Sequence, residues 1–180
     1  VDTDSCIDCA LCEKVCPYLN ASEPNEPIVS YASMNIDEQV RAASSSGGIF
    51  TPIVESVIVA GGVVYGARFN EQWEVQHAKA ETKDELNAFR RSKYVQSRIG
   101  STYEEIETLL KEGRTVLFSG TPCQVAGLRN FLRKDYDNLT TLDIACHGVP
   151  SPRIWREYVA QLVKNFRPLR QTYVLPEIRK

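Results

Sequence analysis

Four of the chain's six cysteines stand in one short run, Cys6, Cys9, Cys12 and Cys16, the last followed by Pro17. Two-residue gaps on a tightly turned loop aim three thiolates at one centre, while the longer last gap and the proline send the fourth away. That is the ligand spacing of a bacterial-type iron-sulfur cluster, in which the fourth thiolate ligates a neighbouring cluster. Cys6, Cys9 and Cys12 are therefore expected to share one 4Fe-4S cluster and Cys16 to serve another. The alternatives are zinc, which prefers two C-x-x-C pairs set well apart, and disulfides, which cysteines three apart on one loop would strain.

The other two cysteines follow strand-like segments. Cys123 lies in Gly120-Thr121-Pro122-Cys123-Gln124 and Cys146 in Cys146-His147-Gly148. If both strands belong to a parallel sheet, both loops reach the edge where such folds bind ligands. Cys123 also falls in the first turn of a helix, where free amides favour a thiolate; the alternative for either is a small apolar filler. Either is also a candidate metal ligand. His147 could pass a proton to a reduced ring, or simply be a hydrogen-bonded loop histidine. His77, inside an alternating segment, reads as structural.

Two further stretches suit phosphate. Ser44-Ser45-Ser46-Gly47-Gly48 precedes a helix and offers hydroxyls, amides and glycines that allow close approach, although serines there are also routine helix caps. Lys93, Tyr94, Gln96 and Ser97, beside Arg90, Arg91 and Arg98, could hold a second phosphate or stack on a ring; taken singly they are a solvated loop.

The elements that must position these residues follow the pattern of the chain. Ile49 to Ala60 reads as a buried helix stopped by Gly61-Gly62, then Val63 to Phe69 as a strand paired with Trp73 to Ala80. Thr82 with Glu85 and Ser101 with Glu104 form capping boxes for two helices, the first ending near Phe89 and the second before Gly113. Thr115 to Ser119 is a strand, Thr121 caps a helix with Pro122 in its first position, and Leu139 to Ala145 is another strand. Ser151 caps a helix expected to carry Ile154, Trp155, Tyr158, Val159, Leu162 and Val163 on its inner side. The expected fold is α/β, a mostly parallel sheet with covering helices, preceded by a small ferredoxin-like iron-sulfur segment. The domains are 1–30, including a proline-bearing linker from Ala21 to Pro27, and 31–180.

At 180 residues, 43% hydrophobic and 24% charged, the composition is that of an ordinary soluble protein. A net charge of −2 offers no basic stripe for nucleic acid, and the longest apolar stretch, Ile53 to Tyr65, is too short and interrupted for a membrane span. Clustered cysteines without a secretory leader point to a reducing compartment, the cytoplasm. The chain opens at Val1 without an initiating methionine and stops in Glu177-Ile178-Arg179-Lys180, so it reads as a fragment of a longer protein.

Taken together, Ser45-Ser46-Gly47-Gly48, Ser92-Lys93-Tyr94-Val95-Gln96-Ser97, Gly120-Thr121-Pro122-Cys123-Gln124-Val125-Ala126-Gly127-Leu128 and Cys146-His147-Gly148-Val149-Pro150-Ser151-Pro152 resemble the beta subunit family of coenzyme F420 hydrogenases and dehydrogenases. The resemblance spans about Cys6 to Tyr158. It implies FAD and iron-sulfur clusters, with electrons passing between the clusters and the deazaflavin coenzyme F420 or another acceptor. By that resemblance Ser45, Ser46, Gly47, Gly48, Lys93, Tyr94, Gln96, Ser97, Gly120, Thr121, Pro122 and Gln124 surround the flavin; the reading of the residues adds Gly148 as a binding candidate and Cys123 and His147 as catalytic ones. Relatives with a ferredoxin-like front usually carry two cysteine motifs and continue past the tryptophan-bearing helix; this sequence has the second motif alone and stops soon after that helix. The resulting expectation is an iron-sulfur flavoprotein oxidoreductase working with a redox partner subunit or ferredoxin and a small hydride-carrying coenzyme. Its rivals are a non-catalytic electron-relay or binding module and a zinc-stabilised scaffold.

Overall fold

The computed structural model describes residues 3–20 and 26–165. Most of the linker expected at Ala21 to Pro27, and the end at Glu177 to Lys180, lie outside the described residues. The elements run α1 (Leu11–Lys14), α2 (Glu38–Ala42), α3 (Phe50–Val59), β1 (Val63–Phe69), β2 (Val75–Ala80), α4 (Lys83–Leu86), a 3-10 turn at Asn87–Phe89, α5 (Thr102–Lys111), β3 (Val116–Gly120), α6 (Pro122–Leu132), β4 (Leu139–Asp143) and α7 (Pro152–Asn165).

The sheet order is β2-β1-β3-β4. β1, β3 and β4 are parallel, with Val63 opposite Val116 and Val116 opposite Leu139, and β2 is an antiparallel edge strand. The apolar runs of β1 and β3 bury both faces, as a parallel sheet between helices requires. Val63, Tyr65, Val116 and Phe118 pack against Ile106 and Leu110 of α5 and Leu128 and Leu132 of α6. Val64, Leu117 and Ala80 pack on the opposite side against Val54 of α3, Leu86 of α4 and Phe89. The fold is α/β, as its sequence pattern indicates.

The Gly61-Gly62 turn makes α3 run against β1. A Cβ on Gly62 would lie 2.7 Å from Val57 Cγ1 and 2.9 Å from Thr115 O, so no other residue closes that turn without a shift. The start of α3 therefore lies at the same edge of the sheet as the β3–α6 and β4–α7 loops. This edge holds the candidate site.

Several local expectations are corrected. β2 begins at Val75 rather than Trp73, because Asn70 Oδ1 accepts the amides of Gln72 and Glu74 and closes a turn in which Trp73 has φ 60°. The Ser101 box does not form: its hydroxyl donates to Glu105 Oε1 at 2.7 Å, on a carboxylate whose other oxygen accepts Tyr65 OH. The Thr82–Glu85 box is present. No serine caps α3; Ser44 Oγ donates instead to Val40 O at the end of α2. On α7, Ile154 and Tyr158 are exposed, at 60% and 53%, and the helix buries no residue fully.

Candidate functional site

The amino-terminal cysteines sit on a loop turned by two left-handed residues, Asp8 at φ 55° and Ala10 at φ 54°, one in each gap of the first three ligands. Such conformations cost energy outside glycine and gather where function constrains the backbone. The Asp8 amide donates to Cys6 Sγ at 3.4 Å. Cys6, Cys9 and Cys12 are exposed free thiols, and Cys16 is half-buried. The loop closes through Asn20, whose Nδ2 donates to Glu13 O at 2.6 Å and to Cys16 O at 3.2 Å. Among the described residues no three Cys, His, Asp or Glu side chains stand close enough to hold one metal ion. A four-iron cluster asks less of its ligands, because each thiolate meets a separate iron. The donors are chemically those of such a cluster, and the amide bonded to sulfur is a stabilising feature of thiolate sites.

At the strand-tip edge the four motif blocks meet along residues 91–98, which run as a strap between them. Ser45 Oγ accepts the Ser92 amide at 2.8 Å, and Arg91 Nε donates to Ala43 O. The Gln96 amide donates to Pro150 O at 3.2 Å, tying the strap to the loop after β4. Arg98 bridges to Gln76 of β2, making the strap's end a short parallel extension of the sheet. Ser97 Oγ accepts from Gln124 Nε2 at 2.8 Å and lies 3.1 Å from His77 Nδ1. The Thr121 amide donates to Gln124 Oε1 at 3.0 Å.

Several of the expected binding residues meet the chain's own atoms. Lys93 Nζ donates to Ala88 O at 2.9 Å and Arg90 O at 2.7 Å, fastening the strap, and burial pushes its pKa down to about 8. Tyr94 is 77% exposed. The close-approach space at Gly47 is taken by the chain itself, since a Cβ there would lie 2.9 Å from Ser33 O. Gly48, at φ 76°, needs its glycine for the turn.

Cys123 is exposed, its Sγ 3.2 Å from Thr121 Oγ1. Nearby Tyr103 donates to Gln124 O at 2.8 Å, and burial, with the charge of a Cys123 thiolate second, pushes its pKa up to about 12. Cys146 Sγ accepts the Gly148 amide at 3.3 Å, and Cys146 and His147 are exposed on the loop between β4 and α7.

Two buried polar atoms lack hydrogen-bond partners: Oγ1 of Thr51, a residue 4% exposed in the first turn of α3, and Nε of Arg90, whose Nη2 lies 3.8 Å from Glu55 on the same helix. The uncapped start of α3 with Thr51 fits an anionic group such as a phosphate, while Arg90 is already turned to Glu55. A cleft of about 230 Å³ against the end of the strap, lined by Gln96, Ser97, Arg98, Glu74, Pro152 and Trp155, is smaller than the ~300–1,000 Å³ typical of drug-sized ligand sites and takes only part of a dinucleotide. His77, expected to be structural, is buried at an inward position of β2, and its side-chain partners Ser97 and Ser119 lie on distant segments.

Residues 113–171 match the family described as the carboxy terminus of the coenzyme F420 hydrogenase/dehydrogenase beta subunit, and residues 1–21 match a 4Fe-4S binding domain. The chain matches no curated protein sequence. Among solved structures it is similar to a chain of the F420-reducing nickel-iron hydrogenase complex from Methanosarcina barkeri, at 18% identity and a TM-score of 0.57, covering 75% of this chain and 50% of that one. At that identity the likeness is one of fold, and this chain spans half the length of that relative. The two segment matches, one on the cysteine loop and one beginning just before β3, show what this chain is similar to: a 4Fe-4S binding domain over its first residues and, over 113–171, the carboxy-terminal part of coenzyme F420 hydrogenase/dehydrogenase beta subunits.

Proposed function

We propose that this chain is the cluster-bearing and flavin-binding part of an iron-sulfur flavoprotein oxidoreductase. Cys6, Cys9 and Cys12 hold a 4Fe-4S cluster, Cys16 serves a second, and FAD lies at the strand-tip edge of residues 31–180. Electrons pass between the clusters and a hydride-carrying coenzyme, F420 or another acceptor. FAD supplies the exchange between two-electron hydride chemistry and one-electron cluster chemistry. The observation that carries the reading is the convergence of the Ser45, Ser92–Ser97, Thr121–Gln124 and Pro150 blocks at one edge.

The chain's own residues then have distinct tasks. The α3 start and Thr51 would hold a phosphate; amides near Gly120 to Gln124 would hold the ring; Ser97 and Gln124 orient the strap and the first turn of α6, two walls of the site. Cys123 and His147 are the catalytic candidates and Gly148 a binding one; His147 would hold or pass a proton. Among the described residues no helix is long and apolar enough to cross a membrane. A cytoplasmic setting follows from the thiol chemistry, with a partner subunit or ferredoxin as the other electron carrier.

The small cleft favours a second reading, an electron-relay module that docks to a catalytic partner. Anaerobic purification of the full-length protein, with iron analysis, FAD titration and an assay of F420 or dye reduction, separates them. Flavin binding with turnover supports the oxidoreductase. Iron without flavin or turnover leaves the relay, and zinc without iron rejects both.

A further inference from the structure

We infer that His77 is a positioning residue for the strand-tip site: its neutral ring, with the hydrogen on Nε2, sets the direction of a hydrogen-bond chain that holds Ser97 and Gln124 together. The inference deepens the flavin-site reading above and rests on it for its functional meaning. The geometry itself is independent of any ligand.

With the ring neutral, the chain of bonds has a single consistent set of hydrogens. His77 Nε2 lies 3.1 Å from Ser119 O, a carbonyl that can only accept, so Nε2 carries a hydrogen. A neutral imidazole has one such hydrogen, which leaves Nδ1 a lone pair. Ser97 Oγ, 3.1 Å away, therefore donates to Nδ1. The same hydroxyl uses its own lone pair to accept Gln124 Nε2 at 2.8 Å, and Gln124 Oε1 accepts the Thr121 amide at 3.0 Å. Each member has its donor and its acceptor, the condition under which a buried network rigidifies its surroundings. The ring is 7% exposed and stacked on Phe118, centroids 5.1 Å apart and planes 19° apart, so it is held against turning. Burial lowers its pKa, in keeping with the neutral form.

Main-chain bonds already attach the strap to β2, through His77 N to Arg98 O and Arg98 N to Val75 O, both at 2.9 Å. The side-chain relay adds something those bonds do not: it links the strap to the first turn of α6. It thereby fixes the separation of two walls of the site.

The test uses the full-length protein with His77→Phe, which keeps the stack on Phe118 and deletes both ring hydrogen bonds, Ser97→Ala, and the double variant. Nitrogen-15 histidine spectra report the tautomer, and His77→Phe assigns the signals because the sequence has two histidines. The expected results are an unprotonated Nδ1 at neutral pH, faster amide exchange at 95–98 with β3 unchanged, and FAD dissociation constants raised about fivefold in each single variant and no further in the double. A hydrogen on Nδ1, equal loss of protection in β3, or single-variant effects that multiply in the double would each overturn the proposal. If the parent protein binds no FAD, the flavin reading falls alone, and the tautomer and exchange results still decide the role of His77.

Discussion

Each thiol of the amino-terminal run has its own expected consequence when removed. Cys9→Ser should abolish the visible iron-sulfur absorption of the anaerobic protein, because three thiolates at two-residue gaps leave no spare ligand for that cluster. Cys16→Ser should leave it largely in place; equal loss of iron in both variants would refute the division of ligands between two clusters. His77 makes a prediction of the opposite chemical kind. Desolvation lowers its folded pKa below the ordinary value of 6.5, only partly offset by the bond to Ser119, so between those two values the unfolded chain binds the extra proton. Its contribution to stability is complete above about pH 6.5 and is lost as pH falls from there toward the folded pKa. Urea midpoints between pH 5 and 7 should drop more steeply for the parent than for His77→Phe, and identical slopes would remove His77 from the acid response. The iron ligands were legible because their spacing is local. The partners of His77 were not, since Ser97 and Gln124 reach it only after the sheet and strap have formed.

The elements divide in the same way. Those bounded by local chemistry, such as α3 ending at Gly61-Gly62, α4 with its capping box and α6 with Thr121-Pro122, lie close to where their residue patterns put them. Those whose ends depend on distant groups do not: Glu105 draws Ser101 away from its capping role, and the strap was read as an irregular loop although Arg98 pairs with β2. Helix α2 was also missed, although Asp37 accepts the amides of both Gln39 and Val40 in an ordinary cap. The β3–α6 junction shows how tightly one element end is specified. A Cβ on Gly120 would lie 3.0 Å from Phe118 Cε1 and 3.1 Å from Gln124 Oε1. These neighbours must give by a few tenths of an ångström, which strains the Gln124 bonds to Thr121 and Ser97. Gly120→Ala should therefore cost about 1–2 kcal/mol in urea unfolding and accelerate exchange at 95–98. A neutral substitution with an unchanged strap would show that Gln124 has room to adjust.

Across the whole molecule, stability should fall from the sheet centre toward α7. β1 and β3 are covered on both faces, whereas α7 follows edge strand β4 yet attaches near the far end of the sheet, at the β1–β2 turn. Its ties are few and mostly polar: Trp155 Nε1 donates to Trp73 O at 2.6 Å, Arg156 pairs with Glu74 at 3.0 Å, and Trp155 lies 5.9 Å from the Phe69 ring. An exposed ion pair contributes at most about 1 kcal/mol, and a helix with no fully buried residue gains little from packing. The amides of α7 should therefore exchange through an opening well below the global unfolding free energy, in a unit separate from β1 and β3. Because Trp155 and Pro152 wall the small cleft, the same opening would widen it. Trp155→Phe keeps the ring against Phe69 and removes the donor, so it should raise α7 exchange about fivefold, the value of one hydrogen bond, while β3 exchange stays within about twofold of the parent. Protection of α7 equal to that of β3 in the parent protein would show instead that the helix is part of the cooperative core, and that the cleft is bounded by a fixed wall.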